Sequence, residues 1–312
     1  MSFSADIKKE ITRTEAKAHC NKAELMSFIR VAGSISPKDG LTLILRTENV
    51  TVARRIYTLI REIYGIKTKF IMGKGQRLNK RNFYTLTITG VDAKNILTDI
   101  GVISSGTTFE LLELDISGLK RCCKAAFLRG CFLACGYLSN PQKVYHLEFV
   151  LQNDNIAACI CDALSVFGIS RAKIIERKGS FVVYVKDSES ISDFLALIGA
   201  HEATLDMENM RVIKDVKNNV NRLVNCETAN LQKTVDAAVR QNENISYIIK
   251  NKGLEFLPPK LMEVAEVRLN NPDATLQELC DLMSETVGKS GMNHRLKRID
   301  EIANELRSKL GD

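Results

Sequence analysis

This sequence predicts an α+β protein built from two copies of one α/β repeat followed by an all-helical segment. Three observations carry that reading. The stretch AELMSFIRVAGSI (23–35) aligns with AFLRGCFLACGYL (126–138) at an offset of 103 residues, so that Gly33 meets Gly136, Leu25 meets Leu128 and Ile29 meets Phe132. The same succession of strand and helix patterns follows each copy. After about residue 203 the strand alternation stops and only helical periodicity remains.

The elements follow in order. LTLILRT (41–47) alternates, with Leu41, Leu43 and Leu45 on one face; VYHLEFVL (144–151) does the same with Tyr145, Leu147, Phe149 and Leu151. Amphipathic helices come next, over 50–65 and 154–168, and each closes on a glycine suited to a helix C′ position. Each copy then has a second strand pair, 67–72 with 83–89 and 172–176 with 181–185, and a closing helix, 91–102 and 188–200. The order αββαββα therefore occurs twice, over 1–102 and 103–205. Each copy makes a four-stranded antiparallel sheet with helices on one face, which leaves the other face to water or a partner.

In the first copy that open face carries Thr42, Arg46, Lys67, Lys69, Thr85 and Thr87 by parity. The segment 66–90 holds Lys67, Lys69, Lys74, Arg77, Lys80 and Arg81 and no acid. A basic, threonine-lined surface suits phosphate contacts; the alternative is a solvated face charged for solubility. In the second copy Lys173 and Arg177 are countered by Glu148 and Glu176.

The C-terminal third reads as a linking helix (206–225) and a helical DNA-binding domain (226–312), with its motif at about 275–309. A long polar helix covers 201–225, and a bundle begins at ETANLQKTVDAAVRQNENISYIIK (227–250). Pro258 and Pro259 mark a helix start, Pro272 lies past its end, and Thr275-x-x-Glu278 is a capping box. Leu276, Leu279, Cys280 and Met283 form one apolar stripe; Met292, Leu296, Ile299, Ile302 and Leu306 form another. Two short helices so joined are a helix-turn-helix, whose second helix reads bases in the major groove with its N-terminal residues. Those residues are Ser290, Asn293, His294 and Lys297, with Arg295 and Arg298 nearby for phosphate. A plain bundle with a solvated basic face is the alternative.

The net charge of +7 permits nucleic acid without demanding it. Nine cysteines without a secretory leader read as free cytosolic thiols. The pairs Cys122/Cys123 and Cys159/Cys161 show neither the spacing nor the His partners of a zinc motif, so no metal and no cofactor is expected. No apolar run approaches the ~20 residues of a membrane span, and a cytoplasmic, nucleoid-associated protein is expected.

The repeated motif, Leu128 to Gly136 with a degenerate first copy from Leu25 to Gly33, resembles that of the LAGLIDADG homing endonucleases. The resemblance implies that two subdomains pack through the motif helices and form a pseudo-two-fold saddle over DNA. Small residues at Ser27, Gly130 and Ala134 would let those helices approach closely. The family's metal-binding acid precedes the final glycine; here the two positions are Ala32 and Cys135. Neither offers the oxygen that a hard divalent cation requires, so no catalytic residue is expected. A degenerate domain of this kind joined to a helix-turn-helix resembles the WhiA family of bacterial regulators, as do SFSADIKKEI (2–11), NRLVNCETAN (221–230) and KSGMNHRLKRI (289–299). That resemblance implies a non-catalytic transcriptional regulator bound to double-stranded DNA. It also implies roles in cell division and chromosome segregation, and in sporulation in filamentous bacteria. Two rivals stand beside it: an endonuclease with acids elsewhere, and a saddle that docks another transcription or cell-division protein or senses a ligand while the C-terminal domain alone contacts DNA.

Overall fold

The computed structural model describes residues 2–36, 41–74, 82–105 and 110–310. The chain divides into two compact units, Met1–Lys214 and Asp215–Asp312.

The first unit opens with α1 (Phe3–Ile11) and the motif helix α2 (Ala18–Ala32). Then come β1 (Gly33–Ser36), β2 (Thr42–Thr47), α3 (Val50–Tyr64), β3 (Lys69–Lys74), β4 (Asn82–Thr89) and α4 (Gly90–Asp99). The second copy runs α5 (Arg121–Cys135), β5 (Gly136–Leu138), β6 (Leu147–Leu151), α6 (Asp154–Ser165), β7 (Lys173–Arg177), β8 (Ser180–Val185) and α7 (Ser188–Ile198). Both sheets are antiparallel and share one topology, β1-β2-β4-β3 and β5-β6-β8-β7. The first strand of each sheet begins on the motif glycine itself, a strand that periodicity did not separate from the helix. Gly33 and Gly136 leave their helices at φ −82° and −69°, so the backbone there is ordinary. What the site requires is space: a Cβ on Gly33 would stand 2.4 Å from the Ile29 carbonyl oxygen, and one on Gly136 2.3 Å from the Phe132 ring.

Parity places the core as the alternation predicts. Leu43 and Leu45 of β2, Leu86 and Ile88 of β4, and Leu147, Phe149 and Val183 of the second sheet are buried against the helices. Phe132 of α5 meets Phe149 and Phe194 with ring centroids 6.3 and 5.7 Å apart. The motif helices form the seam between the copies, and Glu24 of α2, fully buried, accepts bonds across it from Arg129 Nε at 2.9 Å.

The helix α8 spans His201–Lys252, and its first turns belong to the first unit. The Glu10 carboxylate accepts from the backbone N–H of Glu202 (2.7 Å) and Ala203 (3.2 Å), which supplies the cap that the sequence around residue 200 lacks. The sequence reading ended one helix at 225 and began another at 227. The structure draws a single helix, since no Gly or Pro between 201 and 252 interrupts it.

The second unit adds α9 (Pro259–Asn270), α10 (Leu276–Asp281) and α11 (Lys289–Leu310) to the end of α8. Ile245, Ile248, Val264, Leu279, Met292, Leu296 and Ile299 close its core. Thr275 and Glu278 form the reciprocal capping box, with Thr275 N–H donating to Glu278 at 2.7 Å. Thr275→Ala is expected to cost about 1 kcal/mol, seen as a lower urea midpoint of the transition that reports the second unit. An unchanged midpoint would remove the cap from the account.

Candidate nucleic-acid interface

In the second unit, α11 buries Met292, Leu296, Ile299, Ala303 and Leu306 at spacings of four and three. That stripe turns the rest of the helix outward. Ser290, Asn293, His294 and Lys297 are all exposed, and they share one face over the first two turns. α10 and the turn through Gly288 precede this face. The two arginines differ from it. Arg295 is tied down, with Nη2 2.6 Å from Glu285 and only 19% of its side chain exposed. Arg298 stands 2.8 Å from Glu301 and 3.8 Å from Glu305 along the helix. The hydrogen bond from Arg298 holds the Glu301 carboxyl below the usual carboxylate range, with the Lys297 and His294 charges adding to it. Both arginines are thus engaged with acidic neighbours, whereas Lys297 is exposed between them.

The first sheet's open face carries Ser34, Ile44, Arg46, Thr85, Thr87, Lys69 and Ile71, as the register of its strands requires. Arg46 and Lys69 are exposed on it, and the Arg46 guanidinium lies 4.8 Å from the Phe83 ring centre. Lys67 is exposed just before β3. Arg77, Lys80, Arg81 and the side chain of Lys74 lie outside the described residues. Thr85, read from parity as part of an exposed face, is only 9% exposed because Arg46 and Ile71 flank it in register. The second sheet's open face is of another kind, with Tyr137, Val150, Tyr184, Ile175, Glu148, Lys173 and Arg177. Glu176 is paired with Phe181 and points to the opposite face, so it does not counter Lys173 and Arg177 there; the strand's two-residue period separates them.

Ala32 and Cys135 end their helices where the homing-endonuclease acids would stand. Burial pushes the Cys135 thiol up to about 12, despite the neighbouring Lys8 charge, which opposes that shift. A protonated thiol, an alanine methyl and a nearby ammonium offer a magnesium ion nothing to bind. At the other end of the helix pair the structure corrects the reading of Cys122/Cys123. Their partners are absent locally but present in space, as His19 and Cys20 of the first copy. The only sequence signal for that contact was the repeat offset itself.

Residues 18–103 match the WhiA N-terminal LAGLIDADG-like domain, 124–217 the WhiA LAGLIDADG-like domain, and 220–303 the WhiA C-terminal HTH domain. The chain belongs to the WhiA family. It is 42% identical over 316 residues to the probable cell division protein WhiA of Alkaliphilus metalliredigens, across 99% of each chain. The Shouchella clausii protein of the same name is 46% identical, over 99% of this chain and 96% of that one. A crystal structure of full-length DUF199/WhiA from Thermatoga maritima aligns with a TM-score of 0.61 and 27% identity, covering 98% and 99% of the two chains. WhiA membership assigns the doubled α+β unit and the helix-turn-helix together. Among the described residues, no helix is long and apolar enough to cross a membrane.

Proposed function

We propose that this WhiA-family chain is a sequence-specific, double-stranded-DNA-binding regulator of transcription that serves cell division and chromosome segregation. It works in the cytoplasm at the nucleoid and has no nuclease activity. The observation that carries the reading is the exposed face of α11, where Ser290, Asn293, His294 and Lys297 stand free of the core on the second helix of a helix-turn-helix. Asparagine bonds adenine bidentately, and lysine bonds guanine or a phosphate. The cell-division role rests on relatives named probable cell division protein WhiA.

The test uses the full chain and a site enriched from random duplex DNA. Lys297→Glu is expected to weaken binding several-fold and to lower the slope of log affinity against log salt by about 1. Asn293→Ala should relax discrimination at one base pair while leaving the slope unchanged. If both variants bind like the parent, α11 is not the reading element. Intact plasmid after incubation with Mg²⁺ or Mn²⁺ is the expected outcome for nuclease activity, and cleavage would favour the rival.

A second reading concerns the saddle. Its second sheet presents Tyr137 and Val150 at 46% and 44% exposure, a surface better suited to protein than to phosphate. Its first sheet carries Arg46 and Lys69, suited to phosphate. Arg46→Glu with Lys69→Glu in the full chain separates the roles: lower affinity means the saddle touches DNA, and unchanged affinity leaves it to a protein partner.

A further inference from the structure

The first turns of the two motif helices gather four metal-ligating side chains. His19 and Cys20 come from α2, Cys122 and Cys123 from α5, and their ligand atoms all lie within 4.8 Å of one another. His19 Nδ1 is 3.1 Å from Cys123 Sγ and 3.3 Å from Cys20 Sγ. His19 and Cys122 are 103 residues apart, as are Cys20 and Cys123, and as are Gly33 and Gly136. Each repeat therefore contributes the same two positions, and the pseudo-two-fold relation brings the pairs face to face.

We propose that His19, Cys20, Cys122 and Cys123 bind one zinc ion that ties the two repeats together at the N-terminal end of their shared helix seam. The donor set selects the metal. Three thiolates and one imidazole are soft and borderline ligands with no carboxylate among them, which suits zinc and excludes calcium and magnesium. Zn–S and Zn–N bonds of about 2.3 and 2.0 Å place tetrahedral donors roughly 3.5–3.8 Å apart. That separation falls between the 3.1 Å contact and the 4.8 Å limit already present, so small side-chain torsions suffice.

The surroundings suit the charge and the role. Three thiolates around a divalent ion leave one net negative charge. The cluster sits in the first turns of two 15-residue helices, α2 from Ala18 and α5 from Arg121, and neither first turn holds an acidic residue. Two positive helix ends therefore face the negative centre. Cys20 and Cys123 are 6% and 5% exposed and pack with Ala23 and Ala126, while His19 and Cys122 are exposed and leave a path for the ion. Four protein ligands leave no open coordination position, which makes the ion structural rather than catalytic. The site is also separate from the ancestral acid positions. His19 to Ala32 is 13 residues along one helix, or about 20 Å at 1.5 Å per residue.

Metal analysis of the full chain, purified without chelator under a phosphine reductant, is expected to give one zinc per chain. Exchange with cobalt should produce thiolate-to-metal charge-transfer absorption and the visible bands of a tetrahedral ion. Cys122→Ser, at an exposed position that leaves the core intact, should lower zinc affinity by more than about 10-fold, the least that loss of even an outer partner usually costs. His19→Cys should keep one zinc and intensify the charge-transfer band. Cys226→Ser, an exposed cysteine outside the cluster, should change neither. Three results would overturn the proposal. One is a reduced parent chain that holds no zinc and shows no charge-transfer band with cobalt. Another is full zinc retention by Cys122→Ser and Cys123→Ser alike. The third is a disulfide joining Cys20 to Cys122 or Cys123, trapped in freshly lysed cells, which would make the cluster a redox pair.

Discussion

Glu24→Ala is expected to destabilise the first unit by about 3–5 kcal/mol, the usual consequence of removing one partner from a buried ion pair. Glu24 has no exposed surface, and each of its oxygens is engaged. Arg129 Nε donates to one at 2.9 Å; Arg55 donates from Nε at 2.9 Å and from Nη2 at 3.1 Å. The two arginines are not equivalent. Arg55 keeps 11% of its side chain exposed and retains a bond to Asn21 at 3.2 Å, so it can turn towards water. Arg129 is 6% exposed on the seam helix, and its other contact is a long one to the Ile198 carbonyl at 3.5 Å. Without Glu24 its charge is buried and uncompensated, and that is where most of the cost arises. Urea unfolding of the full chain, followed through the transition of the first unit, measures it. Glu24→Leu combined with Arg129→Met should recover much of the loss, since an apolar pair of similar volume needs no desolvated charge. A loss below about 1 kcal/mol for Glu24→Ala would show that the pair is solvated in solution.

Much of this architecture was legible in the sequence because repetition makes weak signals add. The alternation in 41–47 alone is an ordinary strand pattern; the same alternation 103 residues later, behind the same helix, fixes both copies. The capping box at Thr275 and the buried stripe from Met292 to Leu306 were likewise legible, because each depends on local spacing. Contacts between copies were less legible. The Glu24–Arg129 ion pair was not foreseen, because it exists only once α2 and α5 are packed together, and Cys122/Cys123 read as partnerless for the same reason. The strands at Gly33 and Gly136 were missed because three or four residues directly after a helix show too little alternation to separate them from it. The exposed residues of α11 could be named from the sequence, but not the ion pair that removes Arg295 from them, because Glu285 lies in the turn.

Gly130→Ala is expected to destabilise the same seam by about 2 kcal/mol, against the sign that helix propensity alone gives. In a helix interior, alanine is favoured over glycine by about 1 kcal/mol. At Gly130 an added Cβ would stand 2.0 Å from Ser27 Oγ and 2.2 Å from the Glu24 carbonyl oxygen, both on the facing helix. The hydroxyl can rotate away, but the carbonyl is backbone, so α2 and α5 must separate along the seam. Overpacking of that kind costs about 1–3 kcal/mol or more, and here it also lengthens the adjacent Glu24–Arg129 hydrogen bond, so that the two effects outweigh the propensity gain. Ser27→Gly in the Gly130→Ala background distinguishes the two contacts: it should relieve little if the carbonyl governs the approach, and most of the loss if the hydroxyl does. A Gly130→Ala chain at least as stable as the parent would mean that the helices do not meet this closely. The buried charge network, which needs the same close approach, would then lose its geometric basis as well.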